Sequence, residues 1–481
     1  MSISKSISKF SIYLLALSCS LYFLGCSEDK VEEVVKDQSA TIYSTSSDGK
    51  TVRVKDLGKG TGTMKWTADK TYILDNFVFV NEGQLLTIEP GTVIKGKAGQ
   101  NTDAAALIVA RGGKIDAQGT PEKPIIFTAE ADDVTNPNQP EDTQRGLWGG
   151  LVILGKAVIN PNVGEKTIEG IPTTEKRALY GGKDDGDNSG IIKYVSVRHG
   201  GTTIATGNEI NGITFGAVGS GTIVEHIEAV HTADDGVEIF GGAVRIKYLV
   251  SAFNDDDAID YDEGYHGYIQ HGFVWQSNSP KVGDNGGEFD GGTTPIDGLP
   301  YSKPTIANVT FVGGGRDSTT RRAMILRDNA GGFIHNSIFT EWGKGIEVED
   351  IDEAISKEDS YNRLKVGDMA FQGNIFWNVA GNDTNKFIRR LDTKNKTTPS
   401  LYQEAFVKGG NQGGDPGIVV SYSQDNRCNP IPVGGGVSLN VKTVDDSWFD
   451  KSSYRGGFQP GNSNHWLKGW SYLANHKYLA Q

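Results

Sequence analysis

From about residue 65 onward the chain alternates short runs rich in Val, Ile, Thr and Phe with Gly, Asn and Asp corners. Runs of this length bounded by turn residues predict many short strands. Sustained helical periodicity is almost absent, and only 351–366 and the last twenty residues suggest helix. The segment 27–62 is polar and predicts a tether with at most one short strand. Self-similarity then selects among all-β architectures. Thr232-Ala-Asp-Asp-Gly-Val-Glu-Ile-Phe-Gly-Gly aligns with Asn254-Asp-Asp-Asp-Ala-Ile-Asp-Tyr-Asp-Glu-Gly at an offset of 22 residues. Asp234 falls on Asp256, Asp235 on Asp257, Val237 on Ile259 and Glu238 on Asp260. Looser copies begin at Gly286 and Gly345, and Gly212 and Ala323 open segments that fit the same slot. Matching strands lie between the slots, at 191–197, 223–230, 244–250, 306–312 and 333–339.

A period near 22 is one coil of a parallel β-helix, whose coils stack and bury a continuous apolar column. A propeller needs a longer period, and a sandwich shows hairpins without a fixed repeat. The expected fold is all-β: a parallel β-helix over 63–481 with a C-terminal cap. The stretches 131–146 and 276–286 are expected to leave it as surface loops.

The N-terminus reads differently. Lys5 and Lys9 precede an apolar stretch, Phe10 to Phe23, that closes on Leu24-Gly25-Cys26. The stretch is too short to span a bilayer and has the layout of an export signal, expected over 1–25. Leu-Gly-Cys resembles the lipobox of bacterial lipoproteins, with Phe23 where an aliphatic residue is usual. The resemblance implies that Cys26 is diacylated and becomes the mature N-terminus, at the head of a lipidated tether over 26–62. The acidic run after it, with Glu28, Asp29, Glu32 and Glu33, resembles the surface-export signal of Bacteroidetes lipoproteins. Acyl chains anchor a protein without spanning, at about 0.8 kcal/mol per buried CH2. The expected location is therefore the outer membrane, lipid-anchored and facing outward. Of three cysteines, Cys19 falls in the signal and Cys26 takes lipid, which leaves Cys428 without an intrachain disulfide partner. The formal net charge of -13 disfavours nucleic acid.

Leu86-Thr-Ile-Glu-Pro-Gly-Thr-Val-Ile-Lys-Gly, Trp148-Gly-Gly-Leu-Val-Ile-Leu-Gly-Lys-Ala, the Asp-Asp-Gly-Val-Glu coil, Gly283-Asp-Asn-Gly-Gly-Glu-Phe-Asp and Tyr454-Arg-Gly-Gly-Phe with Trp466 to Trp470 are together similar to a family of right-handed β-helix surface lipoproteins of Bacteroidetes. The likeness implies that the fold is a right-handed parallel β-helix, implies the lineage, and brings no settled activity.

The carboxylates supply the candidate chemistry. Period two turns Val237 and Ile239 inward and Glu238 outward, and the same holds for Asp260 and Glu347. Stacked coils lie about 4.8 Å apart. Two unpaired carboxylates at that spacing repel by about 3.5 kcal/mol at an effective dielectric of about 20. Three ways to offset this are open: Ca2+ held by Asp234, Asp235, Asp256, Asp257, Glu238 and Asp260; pairing with Arg245, Lys247, Arg321, Arg322 or Arg327; or a corner ladder in which side chains bond backbone N–H groups. Glu288, Asp290, Tyr265, Tyr268, Trp275, His231 and His266 flank this patch and are the expected ligand-binding residues, with the aromatics as sugar platforms. No catalytic signature stands out. The leading expectation is a non-catalytic surface lipoprotein that binds a glycan or a protein, in some cases as partner of an outer-membrane transporter or assembly. A Ca2+-dependent lyase or a glycoside hydrolase is one alternative, and a structural or adhesive stalk is another.

Overall fold

A computed structural model describes residues 40–480 apart from 137–143, 162–163, 206–207, 293, 316–319, 352–357, 392–398, 423–426, 435 and 439–440. The expected signal, the expected lipobox and Cys26 lie outside the described residues. Among the described residues the strands form two large sheets, one of eighteen strands and one of ten, whose neighbours run parallel from coil to coil except in the first hairpin. The molecule is an all-β right-handed parallel β-helix. The repeat read from sequence is its register: Val237 pairs with Ile259 and Glu238 with Asp260, 22 residues apart.

Each coil has three faces because its longer strand is bent. Arg245–Ala252 and its neighbours Ile223–Val230 and Tyr268–Trp275 pair on both sides of one skipped residue. That residue is left-handed in five successive coils: Tyr194, His226, Tyr248, His271 and Asn308, with φ between 50 and 62°. Non-glycine residues enter this region rarely, His and Asn more readily than Tyr. Stacking helps to hold the bend, with ring centroids 4.2 Å apart for Tyr194–His226, 4.3 Å for His226–Tyr248 and 5.1 Å for Tyr248–His271. The eighteen-stranded sheet therefore supplies two faces, and the ten-stranded sheet, containing Val237–Phe240 and Ile259–Asp262, supplies the third.

Alternation places one apolar set inside. Val237, Ile239, Ile259, Tyr261, Ile346 and Val348 are all buried in the central column. Stacking repeats like with like, as in Phe311–Phe339 at 4.9 Å and Phe339–Phe376 at 5.0 Å. One corner is tied by a polar ladder. Val309 N–H donates to Ser337 Oγ (3.2 Å), Ser337 N–H to Asn374 Oδ1 (2.8 Å), and Asn374 N–H to Asn411 Oδ1 (2.9 Å).

Three expectations are corrected. The fold starts before residue 63: Ile42–Thr45 and Thr51–Lys55 form a hairpin, and Thr51–Lys55 pairs in parallel with Thr71–Leu74. Val52 and Val54 enter the core, so this stretch is the first coil rather than tether. The last residues do not cap an end. Phe458, Leu467, Trp470, Tyr472 and Leu473 cover the outer side of one face, over Val230, Val250, Phe273, Trp275 and Val312. The core's C-terminal end is covered instead by the helix Ser400–Lys408, whose Tyr402 and Phe406 enter the core cluster. In the expected helical region the described helix is confined to Ser360–Val366, and in the last twenty residues to Tyr472–Asn475. No helix among the described residues is long and apolar enough to cross a membrane.

Phe339→Ala removes an inner ring of a stacked column. It should cost about 3–5 kcal/mol in urea unfolding; a loss below about 1 kcal/mol would show that the column is not tightly packed.

Candidate functional site

The ten-stranded sheet carries the acidic patch on its outer side. Three columns run along it. At the corner stand Asp234, Asp256 and Asp284. Beside them run Asn211, Asp235, Asp257 and Asn285. On the strands Thr214, Glu238, Asp260 and Glu288 are successive partners, followed by Ile325, Glu347 and Arg389.

The middle column is a structural ladder. Asp235 N–H donates to Asn211 Oδ1 (3.2 Å), Asp257 N–H to Asp235 Oδ1 (2.9 Å), Asn285 N–H to Asp257 Oδ1 (2.5 Å) and Arg322 N–H to Asn285 Oδ1 (3.2 Å). Each side chain thus satisfies the backbone of the next coil. In Asp235 and Asp257 one oxygen does this work, and the carboxylate still has a second. Four trios then close up, with one oxygen from each member within 4.8 Å of the others: Asp234/Asp235/Asp256, Asp235/Glu238/Asp260, Asp256/Asp257/Asp284 and Asp257/Asp260/Glu288. The third and fourth trios are the first and second moved along by one coil.

Charge balance differs along the face. Arg327 donates to Glu288 and, at 2.8 Å, to Asp290. Arg322 and Arg389 both reach Glu347, the former at 2.6 Å. Arg145 pairs with Asp255 at 3.0 Å. Among the described residues no Lys or Arg forms an ion pair with Asp234, Asp235, Glu238, Asp256, Asp257 or Asp260. Yet Asp235 is 7% exposed, Asp257 3% and Glu238 9%.

The surroundings add more negative charge. The insertion after Leu151–Leu154 folds over this face, packing Ile168, Ile171, Ala178 and Tyr180 with Phe240 and Ile210. Lys166 and the Tyr180 hydroxyl bind Glu263 and lock the insertion in place. It brings Glu169, and the neighbouring hairpin brings Glu209, toward Asp234. Burial first, then Asp256, Glu209 and Glu169, push the Asp234 carboxyl up to about 8. Burial raises Asp235, Glu238, Asp257 and Asp260 well above the usual carboxylate range, and neighbouring carboxylates add to it. Burial likewise lifts Asp290 to about 7 although Arg327 opposes it.

The donor set is all oxygen. It suits a hard cation of the Ca2+ type and lacks the His or Cys ligands that softer metals favour. All six expected metal ligands are brought together, with Glu288 and Asp290 beside them. The five other expected ligand residues are not. Tyr265 and Trp275 are buried and cannot form a sugar platform. Tyr268 lies on another face, bonded to Asp446 (2.8 Å) and packed on Trp448 and Phe449. His231 is buried in a stack between His199 and Phe253. His266 pairs with Asp185 at 3.2 Å. Arg245 and Lys247 do not pair with the acids either: Arg245 sits over the Tyr268 ring and Lys247 binds Asp450 at 2.7 Å. Sequence reasoning missed Asp284, Glu169 and Glu209. Asp284 was within reach, because it precedes the third copy by the two residues that separate Asp256 from Ala258. Glu169 and Glu209 belong to non-repeating segments and carry no periodic signal.

The raised carboxyls predict a pH dependence. A folded pKa above the unfolded one means that the folded state holds more protons between the two, so stability falls as pH rises. For Asp234 the window runs from its ordinary 3.8 to about 8. Without divalent cations, the midpoint of thermal unfolding should fall steadily from pH 5 to pH 8, and Asp234→Asn should flatten that slope. A midpoint that climbs across this range would contradict the assignment.

Residues 58–415 match the family described as Pectate-lyase like beta helix domain. No curated protein matches in sequence. Among solved structures the Dettilon tailspike protein is similar at 9% identity with a TM-score of 0.24, over 65% of this chain and 59% of the tailspike chain. The family match takes in every coil from Phe77–Val80 to Ile388–Arg390, the acidic columns included. The chain belongs to the pectate-lyase-like β-helix domain family.

Proposed function

We propose that this protein is a non-catalytic binding protein, lipid-anchored at Cys26 and displayed outward from the outer membrane. Its acidic trough takes Ca2+ and, through it, an acidic glycan. The observation that carries the reading is the uncompensated run of six carboxylates in the coils spanning 234–262, set between coils that are neutral or supply their own arginines. A buried carboxylate without a partner is costly and is otherwise held by protonation or by a cation. Ca2+ uses six to eight oxygens, so carboxylates that occupy only part of its shell leave positions for a ligand's own carboxylates. Asp235 with Asp234 and Asp256, or Asp257 with Asp256 and Asp284, would hold it at the corner; Asp235 with Glu238 and Asp260, or Asp257 with Asp260 and Glu288, would hold it along the strands.

Binding is favoured over catalysis because the nearby cations are already engaged. Arg327 is held by Glu288 and Asp290, Lys166 by Glu263, and Arg245 and Lys247 lie on another face. A second reading, a Ca2+-dependent polysaccharide lyase, draws on the family described above. The appearance of unsaturated products from an acidic glycan would decide for it.

Calcium at about a hundredfold its Kd should stabilise the fold by about 2.7 kcal/mol, with EDTA reversing the shift. Asp234→Asn with Asp256→Asn should weaken Ca2+ at least tenfold by calorimetry. Equal melting curves in Ca2+ and EDTA would remove the cation from the account. For the anchor, Cys26→Ser should abolish incorporation of labelled palmitate and move the protein from the membrane to the soluble fraction. An unchanged distribution and label would exclude lipidation at this residue.

A further inference from the structure

The Tyr454-Arg455-Gly456-Gly457-Phe458 segment plays no part in the trough. It belongs to the C-terminal cover and lies flat on the solenoid. Tyr454 O accepts from Asn308 Nδ2 (2.8 Å), Arg455 N–H donates to Val437 O (3.1 Å), Gly456 N–H to Asn336 O (2.7 Å) and Gly457 N–H to Thr310 Oγ1 (2.9 Å). A Cβ on Gly457 would stand 2.3 Å from Gly272 O, so the two backbones touch there. Gly456 has φ +80°, and a Cβ there would strike Thr310 and Ile338. Two glycines are thus required for the close approach that buries Arg455.

Arg455 itself is 0% exposed. Among the described residues its Nε, Nη1 and Nη2 have no hydrogen-bond partner. Other buried arginines of this molecule are served: Arg198 by Ser196, Arg321 by the Ser277 and Ser279 carbonyls, Arg363 by Glu358 at 2.9 Å. Among the described residues no carboxylate offsets the burial of Arg455, which pushes its guanidinium down to about 10. The adjoining wall is apolar, formed by Ile338, Ile375 and Val437. A guanidinium carries five N–H donors and no acceptor, and a buried unpaired charge demands an opposite one. We propose that Arg455 holds a small inorganic anion of the halide class, enclosed between the C-terminal segment and the solenoid. It would act as a structural ion that pins the cover to the coils around Asn336 and Thr310.

The test uses the purified mature chain. Crystals grown in bromide should give an anomalous bromine peak within hydrogen-bond distance of the Arg455 guanidinium. In solution, replacing gluconate by chloride at constant ionic strength should raise the unfolding midpoint by roughly 2 °C or more, and Arg455→Met should lose that response. A bromide map without the peak, with water or a protein oxygen on the guanidinium, would overturn the proposal. So would equal midpoints in chloride and gluconate. The map needs only the wild-type chain, so it decides the question even if Arg455→Met fails to fold.

Discussion

Each residue of a stacked strand in this molecule has its counterpart in the next coil as nearest neighbour. Parallel pairing at about 4.8 Å makes every column a test of whether a side chain tolerates its own kind at that distance. Apolar and aromatic columns pass it readily, as Phe311, Phe339 and Phe376 do. Amides and hydroxyls pass it by accepting the backbone N–H of their neighbour, as at Ser337, Asn374 and Asn411. Carboxylates fail it unless something positive stands between them. The rest of the molecule can be understood from how each column meets this condition.

The ten-stranded sheet meets it in two ways. In the later coils arginines enter the columns themselves, and Arg327, Arg322 and Arg389 bind the acids before or beside them. In the coils spanning 234–262 the columns stay acidic, and the insertion adds Glu169 to them while its Lys166 binds Glu263. A fold that needed only a stable corner would do better with asparagine at Asp235 and Asp257, as Asn211 and Asn285 show in the same ladder. The acids there make sense if their second oxygens have a ligand.

Much of this was legible in the sequence because register in a solenoid is strict. An offset of 22 residues fixed which side chains would be neighbours, and Glu238 does pair with Asp260. The inward and outward alternation of Val237, Glu238 and Ile239 was equally plain. What escaped was tertiary. His226 and Tyr248 sit inside strands that look continuous, and only their left-handed backbone reveals the third face. Tyr265 and Trp275 look like exposed aromatics beside an acidic patch, but Tyr265 turns into the core and Trp275 is covered by a segment some two hundred residues later. Glu169 reaches the trough through an insertion that follows no repeat.

The most direct test of the central claim is a crystal structure of the mature chain soaked with terbium, a hard cation with a strong anomalous signal that substitutes for Ca2+. The account predicts an anomalous peak in the trough, about 2.3–2.6 Å from carboxylate oxygens of at least three of Asp234, Asp235, Glu238, Asp256, Asp257 and Asp260. A trough without terbium, its carboxyls hydrogen-bonded to one another, would show that protonation alone keeps the column together.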